Sequence, residues 1–100
     1  MKGMHMAIAI EMIFEGVTLE QYDQVVQKMG FEPHGAGAVG GLFHWVTSIP
    51  NGIRVVDVWK TQAEYEQFAQ DKIGPITASV GVTEPPRVTI STVHNYLTAG

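Results

Sequence analysis

An Asn-Gly dipeptide between two apolar, β-branched segments constrains the fold of this chain more than any other feature. Asn51 and Gly52 separate LFHWVTSI (Leu42–Ile49) from IRVVDVW (Ile53–Trp59). This dipeptide between strand-like segments is the strongest short-range signal for a tight β-hairpin turn. We therefore predict that the two segments are neighbouring antiparallel strands joined by a two-residue loop.

One helix is predicted on each side of this hairpin, and each begins with a capping box, a Thr followed three residues later by Gln or Glu. Gly30 ends the first helix, whereas Gly74 and Pro75 end or kink the second. Apolar residues recur at spacings of three and four, as expected for one buried helix face. The capping pairs are Thr18–Gln21 and Thr61–Glu64, and the apolar faces are Tyr22, Val25, Val26 and Met29, then Tyr65, Phe68, Ala69 and Ile73.

Two further strands complete the pattern. Met6–Phe14 is a short apolar segment, and Arg87–His94 alternates and is β-branched. The resulting order, β-α-β-β-α-β, is that of a split βαβ unit. Right-handed crossovers then give strand order 4-1-3-2 with both helices on one face. We predict a single ferredoxin-like α+β domain over residues 1–100, of the dimeric α/β barrel type.

The other face of the predicted sheet has no element of this chain to cover it. A four-stranded sheet with β-branched residues on both sides would leave an apolar surface in water. We therefore predict a homodimer formed through this sheet face.

Composition excludes several classes of function. The chain has no cysteine, which removes disulfides and thiolate zinc sites and favours the cytoplasm. Six basic against ten acidic residues give a net charge of -4, so nucleic acid is not an expected partner. The longest apolar segment is too short for a membrane helix, and residues 1–6 lack a signal-peptide pattern. His5, His34, His44 and His94 show no ligand spacing, so we predict neither a metal nor another cofactor.

The segment VDVWKTQAEYEQF, residues 56–68, resembles the dimeric α/β barrel proteins. These include the antibiotic biosynthesis monooxygenase group and its haem-degrading relatives. DVW near the middle and VHN near the end are most similar to a mostly uncharacterised bacterial branch. The resemblance implies a pocket between sheet and helices for an apolar substrate, and Trp59 matches the recurrent aromatic position. Phe68 stands where many members have His, so the family's helix-borne His is not carried over.

His44 and Asp57 are the candidate catalytic residues. With Asn51 and Gly52 as the loop, His44 pairs with Trp59 and Val46 with Asp57, which places these side chains on one face. Asp57 could then orient the imidazole of His44 as a general base. The alternatives are a solvated strand-end histidine and a carboxylate paired with Arg or backbone.

Aromatic and polar residues near the same sheet end are candidate binding residues, because small-molecule sites combine apolar walls with a few polar groups. They are Trp45, Trp59, His94 and Tyr96. Trp45 could instead belong to the core or the dimer interface, and His94 lies across the sheet, roughly 14 Å from the strand of His44.

The glycine-rich segment Gly30–Gly41 precedes the second strand. Gly35, Gly37 and Gly40 satisfy G-x-G-x-x-G, but a helix precedes and a strand follows, which is the reverse of a dinucleotide site. We interpret the segment as a lid or a plain linker.

Together with the resemblance to the monooxygenase group, these observations predict a small monooxygenase-like enzyme that binds a small apolar or aromatic molecule. His44 would transfer a proton with support from Asp57, and Trp59 and Tyr96 would form walls. A non-catalytic ligand carrier or sensor and a purely structural dimer are the alternatives.

Overall fold

The computed structural model describes residues 6–98 and confirms the predicted ferredoxin-like α+β fold. The expectation about a leader concerns mainly residues 1–5, which lie outside the described part. The element order is β-α-β-β-α-β, with the second helical segment in three pieces. The elements are β1 (Ile8–Glu15), α1 (Leu19–Met29), β2 (Gly41–Ile49), β3 (Gly52–Trp59), α2 (Gln62–Phe68), a π-helical turn (Ala69–Ile73), α3 (Gly74–Ser79) and β4 (Arg87–Thr92).

The four strands form one antiparallel sheet in the order β2-β3-β1-β4, which is the predicted order read from the other edge. The last strand ends at Thr92, so His94 follows the strand instead of lying within it. The sheet confirms the prediction that β1 and β3 are central.

The predicted hairpin register is wrong by two residues. Ile49 pairs with Gly52, so the loop consists of Pro50 and Asn51. Proline suits the first loop position, and Asn51 adopts φ 67°, which asparagine tolerates at the second. A shift of two residues conserves the side-chain faces.

Gly52 is required at the start of β3 by the close approach of β1. A Cβ atom on this residue would lie 2.2 Å from the carbonyl oxygen of Phe14. The glycine of the Asn-Gly pair therefore serves the sheet contact, while the asparagine supplies the left-handed turn residue.

Helix α1 has the predicted caps at both ends. The Thr18 hydroxyl accepts from the Gln21 amide at 3.1 Å, and the Gln21 side chain accepts from the Thr18 amide at 3.0 Å. Gly30 ends the helix with φ 86°. These caps satisfy backbone groups that lack a helical partner and fix the position of the helix on the sheet.

The second helical segment continues past Gly74 and Pro75, where the sequence predicts an end or a kink. Proline lacks an amide hydrogen and its ring collides with the preceding turn of a regular helix. The chain accommodates it with the π-helical turn Ala69–Ile73, in which the Gly74 amide donates to the Ala69 carbonyl. The α-helical conformation then resumes in α3, where Pro75 lies in the first turn.

The core lies between the helices and the central strands. Its buried members alternate along β1 and β3, as expected for one face of a sheet. They are Ile8, Ile10, Met12 and Phe14 from β1, Ile53, Val55 and Trp59 from β3, and Val17 and Tyr65 from outside the sheet. The helices leave β4 uncovered, and both Val88 and Ile90 are at least 40% exposed.

The opposite side of the sheet, which we call the open face, is not covered by any described element. Its apolar side chains surround an ion pair, in which Arg54 Nε donates to Glu11 Oε2 at 2.7 Å. The guanidinium of Arg54 also lies 5.4 Å from the ring centre of Trp45. By strand alternation the apolar members are Ala9, Ile13, Phe43, Trp45, Val56 and Val58.

Candidate active site

His44 and Asp57 form the centre of the candidate site. They lie directly opposite each other on β2 and β3, and His44 Nδ1 is 2.5 Å from Asp57 Oδ1. The His44 side chain is 45% exposed, whereas that of Asp57 is 5% exposed. A buried carboxylate therefore holds a partly exposed imidazole, which is the arrangement of an oriented base.

Trp59 holds the second oxygen of the same carboxylate. Its indole Nε1 donates to Asp57 Oδ2 at 3.1 Å, and both residues are buried. Because each oxygen has a donor, burial of Asp57 does not leave an unpaired polar atom. Trp59 thus lies against the candidate site and fixes the carboxylate that pairs with His44.

Tyr22 of α1 contacts the free nitrogen of His44. The phenol oxygen lies 2.5 Å from Nε2, and the two rings are stacked with an interplanar angle of 10°. From its spacing in the sequence, Tyr22 is predicted only as part of the apolar face of α1, and this contact with His44 is not foreseen. The available signal is that a tyrosine on a buried helix face needs a partner for its hydroxyl group.

Burial raises the pKa of Tyr22 to about 12, and the negative charges of Asp57 and Asp23 add to this effect. The phenol therefore keeps its proton at neutral pH and acts as a hydrogen-bond donor. Burial likewise raises the pKa of Tyr65, again with a contribution from Asp57. The site thus places two protonated phenols near one buried carboxylate.

An aromatic cluster supports the site from the helix side. Trp59 packs edge-on against Tyr65, with 6.0 Å between ring centres, and at a tilt against Phe68, with 5.3 Å between ring centres. Phe68 in turn stacks on Phe31, at the start of the glycine-rich segment. The cluster restricts Trp59, and through it the orientation of Asp57.

The glycine-rich segment is anchored at both ends. Besides the contact of Phe31, the Lys60 amide donates to the Gly40 carbonyl at 2.9 Å. Gly40 is buried with φ 90°, and a Cβ there would lie 2.6 Å from the Glu64 carboxylate. The segment thus joins the start of β2, which carries His44, to the end of β3 and the start of α2.

Three predicted binding residues lie apart from His44. Trp45 is on the open face, because neighbouring residues of a strand point to opposite sides. His94 and Tyr96 follow β4 at the far edge of the sheet, with β3 and β1 between them and β2. The structure therefore brings together His44, Asp57 and Trp59 and adds Tyr22.

A polar cleft lies at the other end of the sheet. It measures about 200 Å3 and is lined in part by Glu15, Gln21 and Glu84. Because Glu15 pairs with Gly52 at the hairpin end of β3, this cleft is separate from His44. The chemistry of the His44 site, and not the size of a cleft, therefore identifies the candidate active site.

Two further structural findings concern residues 6–98. Within this range no group of three or more His, Asp or Glu residues is placed to hold a metal ion. No helix in the same range has the length and apolar character needed to cross a membrane.

Comparison with known proteins gives structural similarity without sequence similarity. No protein-family model matches the chain, and no curated protein matches it. A conserved protein from Methanosarcina mazei Go1 is similar with a TM-score of 0.60 and 13% identity, over 88% of this chain and 93% of that one.

Two oxygenases are also similar in structure. SnoaB from Streptomyces nogalater, a cofactor-independent oxygenase solved as the mutant N63A, has a TM-score of 0.58 and 11% identity, over 95% of this chain and 99% of its own. The ActVA-Orf6 monooxygenase of Streptomyces coelicolor, in complex with nanaomycin D, has a TM-score of 0.51 and 17% identity, over 95% and 93%. The resemblance predicted from residues 56–68 is thus confirmed as a likeness of fold over nearly the whole chain. This chain has the fold of the antibiotic biosynthesis monooxygenase-like dimeric α/β barrel proteins.

Proposed function

We propose that this protein is a small cofactor-independent enzyme of the monooxygenase type, acting on an apolar or aromatic substrate. His44 is its general base and Asp57 orients and stabilises that base. The observation that carries the proposal is the placement of His44 between a buried carboxylate on Nδ1 and a phenol donor on Nε2. The similarity in fold to two oxygenases supports the choice of reaction class.

The proposed step is the removal of an acidic proton from the substrate by Nε2 of His44. The C–H bond electrons remain on the substrate as a carbanion, and the imidazole becomes an imidazolium facing Asp57. A carboxylate in this position stabilises the cation that forms and holds the required tautomer. In the net reaction, a substrate methylene group and dioxygen give a carbonyl group and water.

Aromatic side chains supply the apolar part of the proposed site. Trp59, Tyr65 and Phe68 line the sheet and helix side next to Asp57. Apolar walls with few polar groups are typical of sites for small molecules. They also keep water from the Asp57 carboxylate, which is 5% exposed, and this strengthens its interaction with the imidazolium.

We also propose that the protein is a homodimer through the open face. The support is the exposed aromatic surface of Phe43 and Trp45 beside half-buried valines of β3. An apolar surface of this kind on a small domain is a typical protein interface. In such a dimer Trp45 has a role at the interface instead of at the site of its own subunit.

Anthrone tests the proposed function, because it is a planar aromatic with an acidic methylene group. We expect the wild-type chain to consume oxygen and form anthraquinone above the rate without protein. His44→Ala should lose this activity, because general-base catalysis contributes about 100- to 10,000-fold. His94→Ala is the matched control and should retain it, since His94 follows β4, the edge strand on the opposite side of the sheet from β2.

Two outcomes would contradict this proposal. Turnover that survives His44→Ala in a folded protein removes the role of the base. Binding of anthrone without conversion, seen as a thermal shift in both wild type and His44→Ala, identifies a ligand carrier instead of an enzyme.

A further inference from the structure

We infer that the Tyr22 hydroxyl is an internal competitor for the base: it occupies Nε2 of His44 in the free protein, and a substrate must displace it. This inference deepens the proposed function and rests on it. It makes Tyr22 a residue that determines which ligands reach the base, a role distinct from proton transfer itself.

The contact joins two elements that are fixed independently. Tyr22 lies in α1, which is held by the Thr18 capping box and by Gly30, whereas His44 lies on β2. The phenol oxygen is 2.5 Å from Nε2, and the two ring centres are 5.9 Å apart. Because both backbones are held, the hydroxyl group is directed at the nitrogen rather than resting there by chance.

The direction of this hydrogen bond follows from the other side of the imidazole ring. Asp57 accepts a hydrogen bond from the Nδ1–H group of His44, so in the neutral imidazole Nε2 carries only a lone pair. Tyr22 must therefore donate to it. The raised pKa of Tyr22, about 12, agrees with a phenol that retains its proton.

One lone pair cannot serve two donors at once. A substrate that delivers its proton to His44 must approach the same lone pair, and Tyr22 must first give up its bond. A ligand that is a weak donor would not compensate for the loss of the Tyr22–His44 hydrogen bond, whereas a planar ligand with an acidic proton would. A single neutral hydrogen bond corresponds to about a 2- to 10-fold effect on affinity or reactivity.

The test uses diethyl pyrocarbonate, which acylates the unprotonated nitrogen of histidine and needs no substrate. We expect Tyr22→Phe to raise the acylation rate of His44 by about 2- to 10-fold. Mass spectrometry of the peptides measures this rate. The rate at His94 in the same sample reports reagent activity and should stay constant. Tyr96→Phe, which removes an exposed phenol, is the matched control and should leave both rates unchanged.

An unchanged or slower rate at His44 in folded Tyr22→Phe would overturn the inference. A second measurement on the wild-type chain removes any dependence on the variant's folding. Nuclear magnetic resonance should show a scalar coupling between the Tyr22 hydroxyl proton and Nε2 of His44. Absence of both this coupling and a slowly exchanging hydroxyl proton would also overturn it.

The two proposals fail in different ways. The proposed function is wrong if anthrone turnover does not depend on His44. Failure of the competitor role appears as no dependence of His44 acylation on Tyr22, whether or not turnover occurs. If the enzyme is active, Tyr22→Phe should also lower KM for anthrone by about 2- to 10-fold, because the substrate no longer displaces a phenol.

Discussion

His44 and Asp57 face each other across the β2–β3 hairpin, with 2.5 Å between Nδ1 and Oδ1. The backbone register of the two strands sets this contact, because directly opposed residues have Cβ atoms only about 5 Å apart. A slip by one residue would move the two side chains to opposite faces. The turn at Pro50 and Asn51 therefore helps to build the candidate active site.

The Asp57→Asn substitution tests the importance of this pair. It conserves shape but replaces one carboxylate oxygen with an NH2 group, a donor that then faces either Nδ1 of His44 or the indole N–H of Trp59. We expect the free energy of unfolding to fall by about 1–3 kcal/mol, as for a buried group with a lost partner. Denaturant unfolding measures this loss, and anthrone turnover should fall with it.

Glu15→Gln is the matched control for that substitution. Its carboxylate pairs with Arg87 at the hairpin end of the sheet, where both side chains are at least 70% exposed. Exposed ion pairs contribute about 0–1 kcal/mol. Equal losses in the two variants would contradict the idea that burial of Asp57 makes its pairing important.

Trp59→Phe separates the hydrogen bond of the indole from its bulk. The variant keeps an aromatic ring beside Tyr65 but leaves Oδ2 of Asp57 without its donor. We expect a loss of about 2–4 kcal/mol in the free energy of unfolding, from the lost donor and the smaller ring. Tyr96→Phe, which removes an exposed phenol, should cost about 0.5 kcal/mol or less; a comparable loss there would contradict this assignment.

Most of the fold could be predicted from the sequence because the local signals for caps, turns and strands agree with the overall topology. The capping threonines Thr18 and Thr61, the end of α1 at Gly30 and the alternation along β3 are all read from neighbouring residues. The hairpin register was missed because Pro50 and Asn51 compete with Asn51 and Gly52 for the same turn, and the contact of Gly52 with β1 decides between them.

The candidate site was only partly predictable. His44, Asp57 and Trp59 lie on adjacent strands, so strand pairing brings them together. Tyr22 lies on α1, 22 residues before His44 in the chain. The way in which α1 packs on the sheet determines this contact, and strand pairing does not reveal it. Trp45 was predicted as a binding residue near His44, but it lies on the opposite face of β2 from that residue.

Gly40→Ala tests the anchoring of the glycine-rich segment. The backbone at this residue has φ 90°, and a Cβ atom would meet the Glu64 carboxylate. We expect a loss of about 1–3 kcal/mol, the usual cost of a strained backbone position. Gly37→Ala is the control, since it has open space for a Cβ, and it should change stability by about 0.5 kcal/mol or less. Equal midpoints of thermal denaturation for the two variants would exclude a special role for Gly40.

The raised pKa of Tyr22 predicts how stability depends on alkaline pH. The folded chain keeps the phenol proton up to about pH 12, whereas the unfolded chain loses it near 10.0. The stabilisation is therefore fully present below pH 10.0 and is lost as the pH rises to about 12. Tyr65 contributes with the same sign.

Denaturant unfolding across that alkaline interval measures this effect. The decline in the free energy of unfolding should be shallower for Tyr22→Phe than for the wild type, while Tyr96→Phe should follow the wild type. A wild-type stability that stays constant or rises through the interval would show that the folded state does not hold the phenol proton.

The open face provides the last prediction. Phe43 is 54% exposed in the described subunit, so Phe43→Glu should leave the subunit folded while placing a charge in the proposed interface. A charge buried there without a partner costs far more than the apolar contact that it replaces. We therefore expect sedimentation to show a dimeric wild type and a monomeric Phe43→Glu variant. Val39→Glu makes the same change at a residue that is 94% exposed in the glycine-rich segment, and it should remain dimeric. A monomeric wild type would rule out the open face as a subunit interface, and a dimeric Phe43→Glu variant would place the interface elsewhere.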